Sequence, residues 1–457
     1  MCYNVRMKIT IPKFVGECVS LLEAGGHPTY VVGGCLRDSL LGKTPQDWDI
    51  CTAALPEQMQ AALIGIRTVP TGLSHGTLTI LGGKMSVEAT TFRRDGLYLD
   101  HRRPDSVDFS ASIEDDLARR DFTVNAMAYN PKEGLIDPFG GQRDLAAGLL
   151  RCVGDPLLRF GEDALRVLRL VRFVAQLGFV PHPQTLAGAK ERAGLLRAIS
   201  AERVQAELDK LVMGEHALAA LRIAAESGVL AEILPEFTHC IGFDQRSPYH
   251  NLTVDEHSFV ALVSAPKELE VRLALLFHDI GKPATATIDE AGRGHYKGHA
   301  GVGAKIVRKV LKRLRYPTKV AKHIEKLVAF HSKQLPPRPD VIRRFLGEHG
   351  EVFTRDLLKV KAADNSAKAP ICGDRSQLYK QLSGMIDDLL AAGDCLTLAG
   401  LAVNGADLAE LAPTGPQTGK VLRELLKLVW RYPEKNTREY LLAQAIRLLE
   451  QKKTDKI

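Results

Sequence analysis

The chain lacks any long apolar run: nowhere do its 457 residues approach the roughly 18 consecutive apolar residues that a membrane-spanning helix needs. A signal-peptide core is missing too, because Met1 to Val15 carries polar and basic residues throughout. Cysteine is sparse and scattered, at positions 2, 18, 35, 51, 152, 240, 372 and 395, with no C-x-x-C pair. That spacing argues against both a zinc ribbon and a disulfide framework. Internal repeats and low-complexity tracts are also absent. These absences lead to the expectation of a cytoplasmic protein with reduced, mostly buried cysteines. Its 45% hydrophobic and 25% charged residues are those of ordinary globular domains, and its length has room for about three of roughly 150 residues each.

Net charge is only +7 but unevenly placed, with 13 Lys/Arg between Gly301 and Phe345 against Glu325 and Asp340. Such a face can neutralise phosphates. It can equally be the solvated side of an amphipathic helix, since Val302, Ile306, Val310 and Leu314 recur every four residues.

Residues 25 to 145 mix β-rich runs (Thr77 to Leu81, Ser86 to Thr91, Ser106 to Phe109) with helical segments, and from Asp144 onward strand signals nearly vanish. Helical spacing runs through Pro156 to Leu177, Ala201 to Leu211, Ala217 to Leu234, Glu268 to Ile280 and Val421 to Leu449. The fold class is therefore α+β, a mixed α/β head on an all-α neck, body and tail. Gly140-Gly141, Gly242 to Pro248, Leu335 to Pro339 and Asn404 to Gly419 are the joints.

Val31-Val32-Gly33-Gly34-Cys35-Leu36-Arg37-Asp38, followed by Asp47-Trp48-Asp49, carries the most chemistry. Glycines let backbone approach phosphate oxygens, and Arg37 adds a fixed fork of donors. On a strand, Asp47 and Asp49 project to one face, as carboxylates that hold a Mg²⁺ pair about 3.5–4 Å apart must. Singly these are common turn and loop signals. In this order they resemble the head of the nucleotidyltransferases that include bacterial CCA-adding enzymes and poly(A) polymerases.

The resemblance continues through His75-Gly76-Thr77, the stretch from Glu88 through Arg93 to Pro104, and Arg119-Arg120-Asp121-Phe122-Thr123-Val124-Asn125. By it Arg120 contacts bound nucleotide, as do Gly33, Gly34 and Arg37, while Asp121 and Asn125 are supporting groups. Next comes Glu162-Asp163-Ala164-Leu165-Arg166. On a helix Asp163 and Arg166 share a face. An Asp acceptor for an exocyclic amine beside an Arg donor for a ring nitrogen suits cytosine and adenine and rejects uracil and guanine. An ordinary helical ion pair is the other reading of these two residues. By the resemblance Asp163 and Arg166 pair with the base, Glu162 orients Arg166, and Arg169 and Arg172 reach the nucleotide's phosphates or sugar.

A second constellation follows: His250, His257, His278-Asp279, His299, His331 and Asp364. It resembles the HD phosphohydrolase superfamily. That implies one metal site from His257, His278, Asp279 and Asp364 and a second completed by His299 and His331, with a divalent transition metal that the sequence does not specify. His250 is the odd member, since the pattern places the ligand at His257. Packed core histidines are the plainer reading. Some CCA-adding enzymes with an HD domain hydrolyse cyclic or terminal phosphates, implying RNA 3′ phosphates as substrates here. Near the C-terminus, Asn404 to Leu408 and Gly415-Pro416 to Leu422 resemble the tail that grips tRNA.

The resemblance implies a nucleotidyltransferase head over 1–145, a helical base-reading and RNA-binding neck over 146–240, an HD domain over 241–365 and a tRNA-binding tail over 366–457. It implies addition of CCA to tRNA 3′ ends from CTP and ATP without a nucleic-acid template, with Mg²⁺ on Asp47 and Asp49. An A-adding enzyme and a poly(A) polymerase share the fold and stay open. CC-only activity is disfavoured because the Arg93 to Pro104 loop has its full length. A different class, an HD phosphohydrolase whose head only binds RNA, is the remaining rival.

Overall fold

The structure is a computed structural model, and it describes residues 9–73, 76–96, 107–109, 112–409 and 416–454. His75, the 97–104 part of the Arg93 to Pro104 loop, and Gly415 lie outside the described residues. The chain divides into two compact units, 1–238 and 239–457.

In the first unit the Lys13–Ala24 helix buries Val15, Cys18, Val19 and Leu22, one face at helical spacing, against the sheet residues Val31, Ile50, Leu78, Ile80, Val87 and Ala89. The sheet consists of β1 (Thr29–Val32), β2 (Trp48–Thr52), β3 (Arg67–Gly72), β4 (Thr77–Gly82), β5 (Met85–Thr91), β6 (Ala128–Asn130) and β7 (Gly134–Ile136). They lie in the order β3-β4-β5-β2-β1-β6-β7. β2 and β5 pair in parallel, with Asp49 opposite Glu88, and the other neighbours are antiparallel. Of the expected strand at Ser106 to Phe109, Ser106 lies outside the described residues and Val107–Asp108 is a two-residue strand.

Beyond the sheet, helices dominate as expected, but three long helical runs are each broken. Pro156 to Leu177 is two helices, Pro156–Glu162 and Leu165–Leu177, with Asp163 extended between them at φ −129° and ψ 102°. Its Oδ1 accepts the N–H of Leu165 at 3.1 Å, the local side-chain bond with which Asp competes against helix continuation. Ala217 to Leu234 breaks at Gly228, where φ is +79°. Val421 to Leu449 breaks around Pro433, between the Pro416–Arg431 and Arg438–Thr454 helices.

In the second unit the Leu269–Phe277 helix is buried from Val271 through Phe277, as a central helix must be. The basic helix, His299–Arg313, buries Ala300, Gly303, Ala304, Val307, Val310 and Leu311. Val302 and Ile306, expected in its apolar stripe, are half-buried, because a four-residue spacing drifts from the 3.6-residue turn. Lys305, Arg308, Lys309, Lys312 and Arg313 are exposed. Among the described residues no helix is long and apolar enough to cross a membrane.

A buried carboxylate joins the head to the neck. Asp121 Oδ1 accepts the Phe122 N–H at 2.8 Å and Asn125 Nδ2 at 3.1 Å, while Oδ2 accepts Arg169 Nε at 2.8 Å. Burial alone would raise its pKa, but Arg169, Asn125, Arg166 and the Phe122 N–H outweigh burial and bring it from 3.8 to about 2. A carboxylate held below its unfolded value contributes stability that is full above the unfolded value and fades as pH falls through the folded one. Replacing Asp121 with Asn should therefore cost roughly 2 kcal/mol at neutral pH. The wild-type advantage should vanish between about pH 4 and pH 2 in denaturant titrations of both proteins.

Candidate functional site

The register Val32 opposite Asp49 sets the glycine turn beside the end of β2. Gly33 has φ +78° and ψ −141° and opens the Gly34–Leu40 helix. A Cβ at Gly33 would lie 3.3 Å from Arg120 Nη1 and 3.5 Å from Asp49 Oδ2. The empty face of this glycine is thus the point where a guanidinium and a carboxylate converge, and a side chain there would fill the space a phosphate needs.

Asp49 is half-buried within β2, and Asp47 stands exposed just before the strand. Burial, then the charges of Glu88 and Asp47, push the Asp49 carboxyl up from 3.8 to about 6, with Arg120 opposing. Clustered, partly desolvated carboxylates of this kind fit a divalent cation, which would relieve their repulsion. Glu88 was not singled out from the sequence as a site residue. Its signal was the alternation of buried Val87 and Ala89 around an exposed Glu88, but only the parallel pairing of β5 with β2 aligns it with Asp49.

Arg120 Nη2 donates to Asp116 Oδ2 at 2.9 Å and to Cys51 Sγ at 3.3 Å. Arg37 Nη1 donates to Asn125 Oδ1 at 2.7 Å and its Nε to Asp38 at 2.8 Å, so Arg37 is buried within the supporting network while its Nη2 stays close to Gly34. Asn125 bridges Arg37 to Asp121, a structural position.

Asp163, off the helix, accepts at Oδ2 a hydrogen bond from Arg203 Nη2 at 2.8 Å. Arg166 Nη1 donates to Glu162 Oε2 at 2.7 Å and to the Arg159 carbonyl at 3.1 Å, and its Nη2 donates to the Arg119 carbonyl at 2.6 Å. Because Arg119 and Arg120 are consecutive, Arg166 is anchored one residue from the guanidinium at Gly33. Arg169 is engaged by Asp121. Arg172 lies about 120° around the helix from Arg166. There it pairs with Glu207 at 2.7 Å, donates to Gln176 and packs 3.5 Å over the Phe173 ring, which docks the Ala201–Val212 helix.

In the second unit the expected ligands form one buried cluster. Four Nδ1 atoms face backbone carbonyls: His257 that of Ala367 (3.1 Å), His278 that of Leu275 (2.7 Å), His299 that of Tyr296 (2.8 Å) and His331 that of Val328 (2.7 Å). Carbonyls only accept, so in the neutral ring each Nδ1 carries the proton and each Nε2 offers a lone pair. These Nε2 atoms converge on two carboxylates. His257 Nε2 is 3.1 Å from Asp364 Oδ1, and His278 Nε2 is 3.2 Å from Asp279 Oδ2. His299 and His331 Nε2 are 3.4 and 3.6 Å from Asp279 Oδ1.

His299 and His331 Nε2 are only 3.1 Å apart, a repulsive contact of two lone pairs unless a cation lies there. His278 Nε2 is buried with no hydrogen-bond partner among the described residues. This donor set fits divalent cations: His257, His278 and Asp279 would hold one, and Asp279, His299 and His331 another. Lys282 Nζ, 2.6 Å from Asp279, and Lys368 Nζ, 2.7 Å from Asp364, balance the carboxylates. His250 stacks edge-on, 4.9 Å from His257 between ring centroids, and burial followed by the Lys282 charge pushes it down to about 3. It lines the cavity of about 690 Å³ onto which the cluster opens, with Tyr249, Tyr379, Lys297, Lys361 and Arg375 on its walls.

The sheet, the glycine turn and the carboxylates define a nucleotidyltransferase head joined to an HD-type metal centre. Family models agree: Poly A polymerase head domain over residues 29–151, probable RNA and SrmB- binding site of polymerase A over 178–241, and HD domain over 213–369. The CCA-adding enzyme of Geobacillus stearothermophilus is 33% identical over 413 residues, 90% of each chain. That of Limosilactobacillus fermentum is 43% identical over 228 residues, 50% of this chain and 54% of that enzyme, so against that relative the match spans about half its length. The crystal structure of the Bacillus stearothermophilus CCA-adding enzyme in complex with CTP is similar at a TM-score of 0.75 and 30% identity, covering 98% of this chain and 100% of that one. The chain belongs to the family of CCA-adding enzymes.

The bridging position of Asp279 separates the two candidate metal positions experimentally. His331→Ala should lower Mn²⁺ bound per chain from two to one, whereas Asp279→Asn should remove both, as read by metal analysis after equilibrium dialysis.

Proposed function

We propose that this protein adds C, C and A to the 3′ end of tRNA from CTP and ATP without a nucleic-acid template. The observation that carries the proposal is the convergence of Arg120 and Asp49 on the empty face of Gly33, one residue from the backbone carbonyl that anchors Arg166. The triphosphate-holding and base-reading residues are thereby tied together through the Arg119–Arg120 step. Asp47 and Asp49 hold Mg²⁺, with Glu88 beside them. When bound, Mg²⁺ supplies positive charge at the α-phosphate and at the attacking oxygen. Gly33, Gly34, Arg37 and Arg120 hold the triphosphate, and Asp163 and Arg166 read the base. Glu162 fixes Arg166, and Asp121 with Asn125 fixes Arg37 and Arg169 behind the site. The tRNA 3′-hydroxyl attacks the α-phosphorus, a P–O bond forms, and pyrophosphate leaves. Kinship supports the substrates, since a similar CCA-adding enzyme was crystallised in complex with CTP.

The same proposal places the head over 1–145, the base-reading neck over 146–240, the HD domain over 241–365 and the RNA-binding tail over 366–457. A second activity is favoured by the Nε2 lone pairs and by Asp279. The HD centre, with a divalent transition metal, hydrolyses phosphates at RNA 3′ ends.

The test is extension of a labelled tRNA lacking CCA, read at single-nucleotide resolution. Growth by three residues should require CTP and ATP together. Asp49→Asn should lower the rate by at least about 1,000-fold, as loss of a metal-holding carboxylate does. His278→Ala should leave extension intact and abolish release of phosphate from a 3′-phosphorylated RNA. Addition of A alone to a CC-ending tRNA would instead identify an A-adding enzyme, and extension that survives Asp49→Asn would overturn the proposal.

A further inference from the structure

We propose that Arg203 is the positioning residue for Asp163, and that it sets nucleobase selection from outside the base-reading turn. This rests on the reading of Asp163 and Arg166 as the residues that meet the base.

The two readers are held differently. Arg166 sits in the first turn of the Leu165–Leu177 helix and is clamped by Glu162 and by the carbonyls of Arg159 and Arg119. Asp163 lies in extended backbone at the break between two helices, so no helical rotamer preference fixes its carboxylate. A carboxylate on such a residue turns about its last torsion, whose preferences are broad. Two bonds hold it here: the Leu165 N–H on Oδ1 at 3.1 Å and Arg203 Nη2 on Oδ2 at 2.8 Å. The first is local and comes with the helix start. The second comes from the Ala201–Val212 helix, 40 residues on, and is the one that chooses the carboxylate's plane.

An ionised carboxylate offers about four acceptor positions. With two engaged, acceptor capacity remains for an exocyclic amine, and with the plane fixed that capacity stays where a cytosine or adenine amine presents itself. A uracil or guanine carbonyl at that spot would face an immobile acceptor. Without Arg203 the carboxylate could swing aside, and the mismatch would lose its penalty.

The docking of the helix supports a dedicated role. Glu207, one turn after Arg203, pairs with Arg172 at 2.7 Å, so Arg203 and Glu207 grip the two ends of the base-reading segment with opposite charges. Arg203 is held there although its Nη1 is buried with no hydrogen-bond partner among the described residues. Leaving a guanidinium N–H unpaired is unfavourable, and such exceptions call for a functional reason. The same helix lies within the stretch matched by the RNA-binding family model, so RNA engagement on the neck has a direct mechanical connection to Asp163.

The experiment compares the full chain with Arg203→Met, Arg203→Lys, Asp163→Ala and the Arg203→Met/Asp163→Ala double variant. It measures kcat and KM for CTP against UTP on tRNA lacking CCA, and for ATP against GTP on tRNA ending in CC, with thermal unfolding recorded for each. Arg203→Met should lower both selectivity ratios by about 10- to 100-fold, the usual effect of losing a group that orients a key ligand. Arg203→Lys should restore most of the selectivity, and in the Asp163→Ala background Arg203→Met should lower selectivity no further. Unchanged ratios in Arg203→Met, or a KM effect confined to tRNA, would overturn the proposal and make Arg203 a structural or phosphate contact. If Arg203→Met does not fold, Arg203→Gln takes its place, and unchanged ratios in that variant would overturn the proposal in the same way. Asp163→Ala that leaves both ratios intact would instead refute the base-reading assignment itself.

Discussion

The nucleotide site depends on a carboxylate that must stay ionised while buried. Asp121 is out of water, and an unpaired charge there would be prohibitively unfavourable, so its two oxygens are saturated by Phe122 N–H, Asn125 and Arg169. Each of those partners is fixed in turn. Asn125 passes the constraint to Arg37 beneath the glycine turn, and Arg169 passes it to the helix that begins just after Asp163. A charge that cannot be left bare thus ties the Gly33-Gly34 turn to the Asp163 to Arg166 segment. Asp121, Asn125 and Arg37 are accordingly buried.

At the site itself the charge problem is left open on one side. Arg119 and Arg120 both pair with Asp116, with bonds of 2.6 and 2.9 Å, whereas Asp49 has Glu88 and Asp47 for neighbours with Arg120 opposing them. That imbalance raises the Asp49 carboxyl and leaves the cluster short of positive charge. The HD centre repeats the pattern with different groups. Its two carboxylates each have one lysine, and four imidazoles, all turned by backbone carbonyls, bring uncompensated lone pairs together. In both places protein groups orient the donors, and a divalent cation is what the electrostatics lack.

Much of this was legible in the sequence because it is local. The Gly33-Gly34 turn, Asp47 and Asp49, the Glu162 to Arg166 stretch and the His278-Asp279 pair occupy short windows whose residue types restrict the chemistry. The helical neck and body followed from apolar periodicity. That periodicity does not show where a helix is interrupted, because it continues across a break when the flanking helices bury similar faces. Asp163, Gly228 and Pro433 interrupt the backbone without disturbing the apolar pattern. Asp163 thereby moved from the helix face it was expected to share with Arg166 to an extended turn. Arg172 turned out to hold a neighbouring helix because six residues carry it a third of the way around its own.

The sequence by itself determined the class of chemistry, since glycines close to an arginine, paired carboxylates and a histidine-aspartate set are demands of atom type and short spacing. Only the tertiary structure decided which distant residues complete those sets. Glu88 joins Asp49 because β5 lies parallel to β2, Arg203 reaches Asp163 across 40 residues, and Asp279 stands between two histidine pairs drawn from separate helices. Strand order and helix docking are set by how whole apolar faces pack against one another, and that information is spread over the entire chain rather than written beside the residues it brings together.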